Sequence, residues 1–99
     1  MRAVVTRRIA SDHPCLAGHF PDNPVVPATL LLETIAAALA EALPGARVAA
    51  IAWAKFQKVL RPDTAFHVEL EETAPRLVAF ACRDEGGGLL AEGRLRLRP

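Results

Sequence analysis

One histidine and one glutamate lie close together in this sequence, in a setting that favours acid–base chemistry. His19 opens a proline-rich loop, and Glu33 lies in the apolar helix into which that loop leads. From Ala28 to Ala40 no other residue is charged. A carboxylate inside such a helix is costly to bury unless it has a partner or a function. Because histidine titrates near neutral pH and a carboxylate can orient it, the two residues form a candidate catalytic pair.

Each residue of this pair also has an ordinary structural interpretation. Taken alone, His19 is typical of a loop histidine hydrogen-bonded to backbone, and Glu33 of an exposed carboxylate near a helix N-terminus. Their joint occurrence around three prolines favours the catalytic interpretation.

The cysteines and the other histidines predict neither a metal site nor a disulfide framework. His13, Cys15 and His19 match no standard zinc spacing, and a fourth ligand is not evident. Cys82 is expected to be a small packing residue, and His67 is expected to lie at the surface.

The elements that must position the candidate pair can be predicted from periodicity and turn residues. A helix is expected over Thr29–Leu43, where Leu, Ala and Glu dominate until Pro44-Gly45 ends it. The loop before it, Ser11–Pro27, is too apolar to be disordered. Strands, predicted from β-branched residues and period-two alternation, are expected over Ala3–Ile9, Arg47–Leu60, Ala65–Glu72, Pro75–Arg83 and Leu89–Arg98.

This order of elements predicts an α+β domain in which an antiparallel sheet wraps around one long apolar helix. The helix is apolar on nearly every face, so it is expected to be buried on most sides. Trp53 and Phe56 are expected to lie in the core or in a tunnel wall. Edge strands and an apolar content of 52% predict a homodimer.

Bulk properties exclude several classes of protein. The 99 residues fit one domain, residues 1–99. A net charge of +1 gives no strong attraction to nucleic acid or to an anionic membrane. No apolar run reaches the ~20 residues of a membrane helix, and no signal peptide is recognisable. We therefore expect a cytoplasmic protein with free thiols.

The central motif resembles the signature of the hotdog-fold 3-hydroxyacyl-(acyl carrier protein) dehydratases. Residues 18–27 and 31–33 are similar to the family's G-H-F-P-x-x-P-x-x-P followed by an apolar helix with Glu or Asp. Residues 55–62 resemble its K-F-x-x-x-x-x-P region, and residues 90–93 its V-A-E-A strand. The match covers nearly the whole chain, in the right order. In length the chain looks like the short dehydratases of aryl-polyene and xanthomonadin-type pigment pathways.

The resemblance implies a dimeric hotdog fold and dehydration of 3-hydroxyacyl thioesters to trans-2-enoyl thioesters, in fatty acid or polyene-type biosynthesis. It makes His19 the base and Glu33 the group that binds or protonates the hydroxyl, each from a different chain. The backbone N–H of Ala28 would hold the thioester carbonyl, with Phe20 and Pro27 lining the tunnel. No cofactor is implied, because the substrate is carried on the phosphopantetheine of acyl carrier protein.

One departure from the family's pattern keeps alternatives open. Ala28 stands where the family nearly always has glycine, which adds a methyl group and restricts φ. A non-catalytic acyl-binding subunit of a hotdog heterodimer, or a hotdog acyl thioesterase, are the alternatives. The loop motif argues against the thioesterase. Cations expected to suit an acidic carrier protein, if they converge at a tunnel mouth, are Arg7, Arg8, Lys55, Lys58 and Arg61.

Overall fold

The computed structural model describes residues 1–16 and 25–99, except for the side chain of Cys15. These residues form one α-helix, α1 (Ala28–Ala42), and a short 3₁₀ turn at Pro14–Leu16. The strands are β1 (Arg2–Arg7), β2 (Val48–Phe56), β3 (Phe66–Ala74), β4 (Leu77–Asp84) and β5 (Leu89–Leu97). No helix in the described part of the chain is long and apolar enough to span a membrane.

The strands form a single antiparallel sheet in the order β1-β3-β4-β5-β2, so β1 and β2 are its edges. Alternation along β3, β4 and β5 sends every second side chain into the core. The fully buried side chains at the centre of this core are Phe66, Val68, Leu70, Val78, Cys82, Ile35 and Leu39. The predicted α+β architecture is therefore confirmed.

Only one face of α1 is covered in the single chain. Its buried side chains are Leu30, Leu31, Ile35, Ala38 and Leu39. The opposite face exposes Thr29, Glu33, Ala37 and Ala40. The expectation that α1 is buried on most sides is therefore wrong for one chain, because a five-stranded sheet can cover only one side of a helix.

Strand β2 is a long, exposed edge. Ile51 and Trp53 are 47% and 46% exposed, and Phe56 is 42% exposed. Trp53 and Phe56 therefore do not lie in the core of the single chain, since β2 has a neighbour on one side only. The alternative, that they line a tunnel wall, stays a prediction. The strand ends at Phe56 rather than at Leu60, because the N–H groups of Gln57 and Lys58 both turn to the carbonyl of Leu90.

Cys82 was expected to be a packing residue, and His67 was expected to lie at the surface. Cys82 is fully buried, as expected, and burial raises the pKa of its thiol to about 12. His67 is half-buried rather than superficial, and its Nδ1 lies 3.0 Å from Oγ1 of Thr6 across the β1–β3 pair.

Gly93 lies at a position in the sheet that leaves no room for a side chain. A Cβ at this position would meet the backbone carbonyl of Trp53 and would lie 2.8 Å from two ring atoms of Phe80. Gly93→Ala is therefore expected to lower the free energy of unfolding by about 1–3 kcal/mol, since the carbonyl cannot move without breaking the β2–β5 pairing. Urea denaturation measures the loss.

Gly86→Ala is the matched control, because a Cβ there would meet only Asp84 Oδ1, at 3.6 Å. It should change the free energy of unfolding by less than about 0.5 kcal/mol. Equal effects of the two substitutions would show that the close approach at Gly93 is unimportant.

Candidate active site

The N-terminus of α1 presents backbone donors with no side-chain cap among the described residues. Pro27 precedes the helix with φ −62° and ψ 147°, an extended conformation that its ring favours. The first helical bond runs from Leu31 N to Pro27 O, at 3.1 Å. The N–H groups of residues 28–30 therefore lack intrahelical acceptors, and Ala28 is exposed. Such a helix end attracts a partial negative charge on a bound oxygen.

The segment after β2 fixes the position of this helix start. Val26 donates its N–H to the carbonyl of Leu60 at 2.8 Å, and both side chains are buried. Two residues earlier in that segment, Lys58 Nζ lies 2.9 Å from Asp84 Oδ2 at the β4–β5 turn. The hydrogen bond from Lys58, helped by the N–H of Gly88, holds the pKa of Asp84 below its usual value. The contact therefore joins two charged groups at neutral pH.

The same segment also holds the chain that enters the loop. Asp63 donates its N–H to the carbonyl of Ile9 at 2.7 Å. Its carboxylate accepts the N–H of Ser11 at 3.2 Å, and hydrogen bonding to Ser11 lowers the pKa of Asp63. Both flanks of residues 17–24 are thus bonded to the four residues from Leu60 to Asp63.

This platform, Leu60–Asp63, was not predicted to support the helix start. The sequence offered only Arg61 of this segment, as a possible contact for a carrier protein. The Arg-Pro-Asp-Thr sequence at 61–64 is typical of a turn. Asp63 takes φ 61° there, a left-handed conformation that Asp tolerates better than most residues.

Glu33 lies on the exposed face of α1, less than two turns after Ala28. Within residues 1–16 and 25–99 its carboxylate has neither an ion pair nor a hydrogen-bond partner. The argument that Glu33 is buried at a cost therefore fails for the single chain. The carboxylate is instead free to face a substrate or a second chain.

The remaining predicted site residues are only partly visible. His19 and Phe20 lie outside the described residues, and so does the predicted pairing of His19 with Glu33. Pro27 is half-buried at the helix start. Two of the three rejected metal ligands, the Cys15 side chain and His19, are likewise outside the described part.

A shallow cavity of about 330 Å³ lies away from these residues. The small side chains of Ala79 and Ala81 form its floor, between Glu69 and Glu71 on one side and Trp53 on the other. Neither Ala28 nor Glu33 lines it. The cavity occupies the sheet face opposite the helix, so it is not an acyl tunnel leading to the candidate site.

Three of the five cations predicted to receive a carrier protein have carboxylate partners. Arg7 forms an ion pair with Glu41 of α1, Arg8 lies 3.8 Å from Asp63, and Lys58 pairs with Asp84. These contacts hold elements of the fold together. Docking of a carrier protein on the five cations stays a prediction.

The family model and the relatives that match this chain are all dehydratases. The family model ApeI-like, described as ApeI dehydratase, matches residues 1–94. The protein named 3-hydroxyacyl-[acyl-carrier-protein] dehydratase FabZ from Chloroflexus aggregans is 37% identical over 79 residues, 72% of this chain and 55% of its own length. The FabZ of Lactiplantibacillus plantarum is 32% identical over 90 residues, 81% of this chain and 61% of its own length. The chain thus spans little more than half the length of these relatives.

Solved structures agree in fold. The structure titled "The Dehydratase Heterocomplex ApeI:P from Xenorhabdus doucetiae" superposes with a TM-score of 0.82 at 21% identity, covering 99% of this chain and 88% of that one. The (R)-hydratase from A. caviae involved in PHA biosynthesis gives 0.82 at 18% identity, covering 99% and 93%. The fold is therefore the expected hotdog fold. With the match over residues 1–94, this chain belongs to the ApeI-like family of hotdog dehydratases.

Proposed function

We propose that this protein removes water from 3-hydroxyacyl thioesters carried on acyl carrier protein, giving trans-2-enoyl thioesters. The observation that carries the proposal is the N-terminus of α1. Ala28 is exposed there, and no side chain caps this end in the described part of the chain. The unpaired Glu33 lies on the same helix. A thioester carbonyl needs such a donor when charge develops on its oxygen.

The proposed roles follow from the bonds that must change. His19 removes a proton from the carbon next to the thioester carbonyl, and the Ala28 N–H stabilises the charge that moves to the carbonyl oxygen. Glu33 binds the hydroxyl and delivers a proton to it as the bond to the β-carbon breaks. One water leaves, a carbon–carbon double bond forms, and the proton held by His19 returns to Glu33 through solvent. The methyl group of Ala28 leaves its N–H in place.

The reverse reaction offers a first test. An enzyme that dehydrates a 3-hydroxyacyl thioester also hydrates the trans-2-enoyl product, so a short trans-2-enoyl thioester should lose its conjugated ultraviolet absorbance on addition of the protein. A loss of absorbance accompanied by free thiol would indicate thioesterase activity instead and would contradict the proposal.

The proposed active form is a homodimer joined through β2. Three large apolar side chains, Ile51, Trp53 and Phe56, are exposed along this edge, whose outer backbone groups pair with no strand of the described residues. A second β2 in antiparallel register would bind these groups and continue the sheet. The exposed face of α1, with Glu33, would then lie beside the other copy.

Ile51→Lys is expected to raise the dissociation constant of this dimer by at least about tenfold, because it places an unpaired charge in an apolar interface. Val4→Lys is the matched control: Val4 is 66% exposed on β1, at the opposite edge. Sedimentation velocity should show a dimer for the wild type and for Val4→Lys, and monomer at micromolar concentration for Ile51→Lys. A wild-type monomer, or dissociation by Val4→Lys alone, would refute dimerisation through β2.

The proposal requires no cofactor, since the acyl group arrives on the phosphopantetheine of its carrier protein. The carrier protein is the proposed partner, and the cytoplasm is the proposed compartment. Nucleic acid and membrane are not proposed partners.

A second candidate is a partner subunit in a heterodimer, and two observations favour it. Ala28 departs from the family's glycine, and a dehydratase heterocomplex is among the structures with the same fold. In that case the purified chain would bind acyl thioesters without converting them, and turnover would return on addition of a related hotdog subunit.

A further inference from the structure

The platform Leu60–Asp63 holds two parts of the candidate site at once. Its first residue accepts the N–H of Val26, which lies just before α1. Its last residue accepts the N–H of Ser11, in the chain that leads to His19. Between these two ends, the ring of Pro62 fixes one of the φ angles. The platform therefore sets the separation between the start of α1 and the chain that leads to the proposed base.

Asp63 makes its bonds through both its backbone and its side chain. Its N–H donates to the carbonyl of Ile9 at 2.7 Å, and its Oδ1 accepts the N–H of Ser11 at 3.2 Å. Hydrogen bonding to Ser11 holds the pKa of Asp63 below its usual value, so the acceptor is a charged carboxylate at neutral pH. Arg8 Nη2 is 3.8 Å away on a mostly exposed side chain, so this ion pair contributes little. The bond to Ser11 is therefore the important contact of this side chain.

The backbone of Asp63 restricts which residues can make this bond. Its φ is 61°, in the left-handed region that glycine adopts freely and that Asn and Asp tolerate better than other residues. The position therefore combines a left-handed backbone with a hydrogen-bond acceptor on a short side chain. Asp and Asn meet both requirements, whereas glycine meets only the first.

We propose that Asp63 is a positioning residue for the reaction, because through Ser11 it holds the chain that leads to His19. This inference rests on the proposed function. Proton removal needs the base in close alignment with the carbon next to the thioester carbonyl, and a displacement of about 1 Å can lower the rate by about 10²-fold. The thioester carbonyl is bound at the helix start, which the other end of the platform holds. Loss of the Asp63 bond should therefore lower kcat and leave KM nearly unchanged.

Two substitutions at this position separate the hydrogen bond from the backbone conformation. Asp63→Gly keeps the left-handed φ but removes the acceptor, whereas Asp63→Asn keeps both. In a steady-state assay with a 3-hydroxyacyl thioester, Asp63→Gly should lower kcat at least about tenfold, with KM within about twofold of wild type. Asp63→Asn should keep at least about half of the wild-type kcat, because its side-chain oxygen can still accept the N–H of Ser11.

Arg76→Gly is the matched control, because Arg76 also has a φ of 61° and lies between β3 and β4, in a turn outside the candidate site. This variant should keep the full wild-type kcat. The melting temperatures of both glycine variants should stay within about 4 °C of wild type, since glycine suits the left-handed backbone at each position.

Amide hydrogen exchange gives a second readout that needs no turnover. In protein labelled for NMR, the N–H of Ser11 should exchange at least about tenfold faster in Asp63→Gly than in the wild type, and at nearly the wild-type rate in Asp63→Asn. Unchanged exchange in Asp63→Gly would show that this bond does not hold the chain, and would overturn the inference.

The kinetic outcomes distinguish failure of the inference from failure of the proposed function. A wild type inactive on the thioester would refute the proposed function, and the inference with it. An active wild type whose kcat is unchanged by Asp63→Gly, or is lowered equally by Asp63→Asn, would overturn the inference alone. An equal loss in Arg76→Gly would overturn it in favour of a general effect of added glycine. An Asp63→Gly chain that fails to fold would overturn it in favour of a role in stability.

Discussion

Replacing His19 with alanine is expected to lower the rate of dehydration by roughly 10²–10⁴-fold, the usual effect of removing a general base. The proton next to a thioester carbonyl is only weakly acidic, so water is a poor substitute for a positioned imidazole. A steady-state assay with a 3-hydroxyacyl thioester measures the loss. The dimer and the melting temperature should be unchanged.

His67→Ala is the matched control for this substitution. His67 lies on β3 and contacts Thr6 rather than any part of the candidate site. Its removal should leave turnover within about twofold of wild type, since the half-buried side chain lies away from the candidate site. Near-normal turnover of His19→Ala would show that the assigned base is wrong.

Replacing Glu33 with glutamine is expected to reduce turnover by roughly 10²-fold or more, because it keeps the size of the side chain but removes its acidic proton. Glu33 is exposed and has no partner among the described residues, so its replacement breaks no contact there and should change the free energy of unfolding by less than about 0.5 kcal/mol. Glu41→Gln is the control: it loses the ion pair with Arg7 on the same helix and should keep full turnover.

Mixing the His19→Ala and Glu33→Gln variants tests whether one active site takes residues from two chains. If His19 of one chain acts with Glu33 of the other, each mixed dimer of His19→Ala and Glu33→Gln chains holds one intact pair. About half of the dimers in an equal, freely exchanging mixture are mixed, so activity should recover to roughly a quarter of wild type. An inactive mixture with demonstrated exchange would place both residues in one chain's site, or make one of them structural.

The fold could be predicted because its signals are local. Alternation in β3, β4 and β5 and the Pro44-Gly45 stop after α1 depend only on neighbouring residues, and the structure confirms these elements to within two residues at their ends. Gly87, with φ +87°, lies in the β4–β5 turn that joins two of these strands. Burial was harder to predict than secondary structure, because the exposure of Trp53 and of one face of α1 depends on which elements surround them.

The residue types of the candidate site could be predicted from the sequence, but the backbone hydrogen bonds that hold the site in place could not. The motif identified Ala28 and Glu33, and the structure places both on exposed parts of α1. The backbone hydrogen bonds of Leu60 and Asp63 join segments more than thirty residues apart in sequence, so no local sequence pattern predicts them. The same holds for the cations chosen from sequence: three of the five, Arg7, Arg8 and Lys58, form ion pairs with carboxylates on other parts of the chain.

The most direct test of the central claim is to incubate the purified dimer with a 3-hydroxyacyl thioester of acyl carrier protein and follow the intact carrier by mass spectrometry. We expect a product lighter by one water, with the thioester still attached, and no such product from the His19→Ala dimer. An unchanged substrate with the wild-type dimer, or release of the free acid from the carrier, would contradict it.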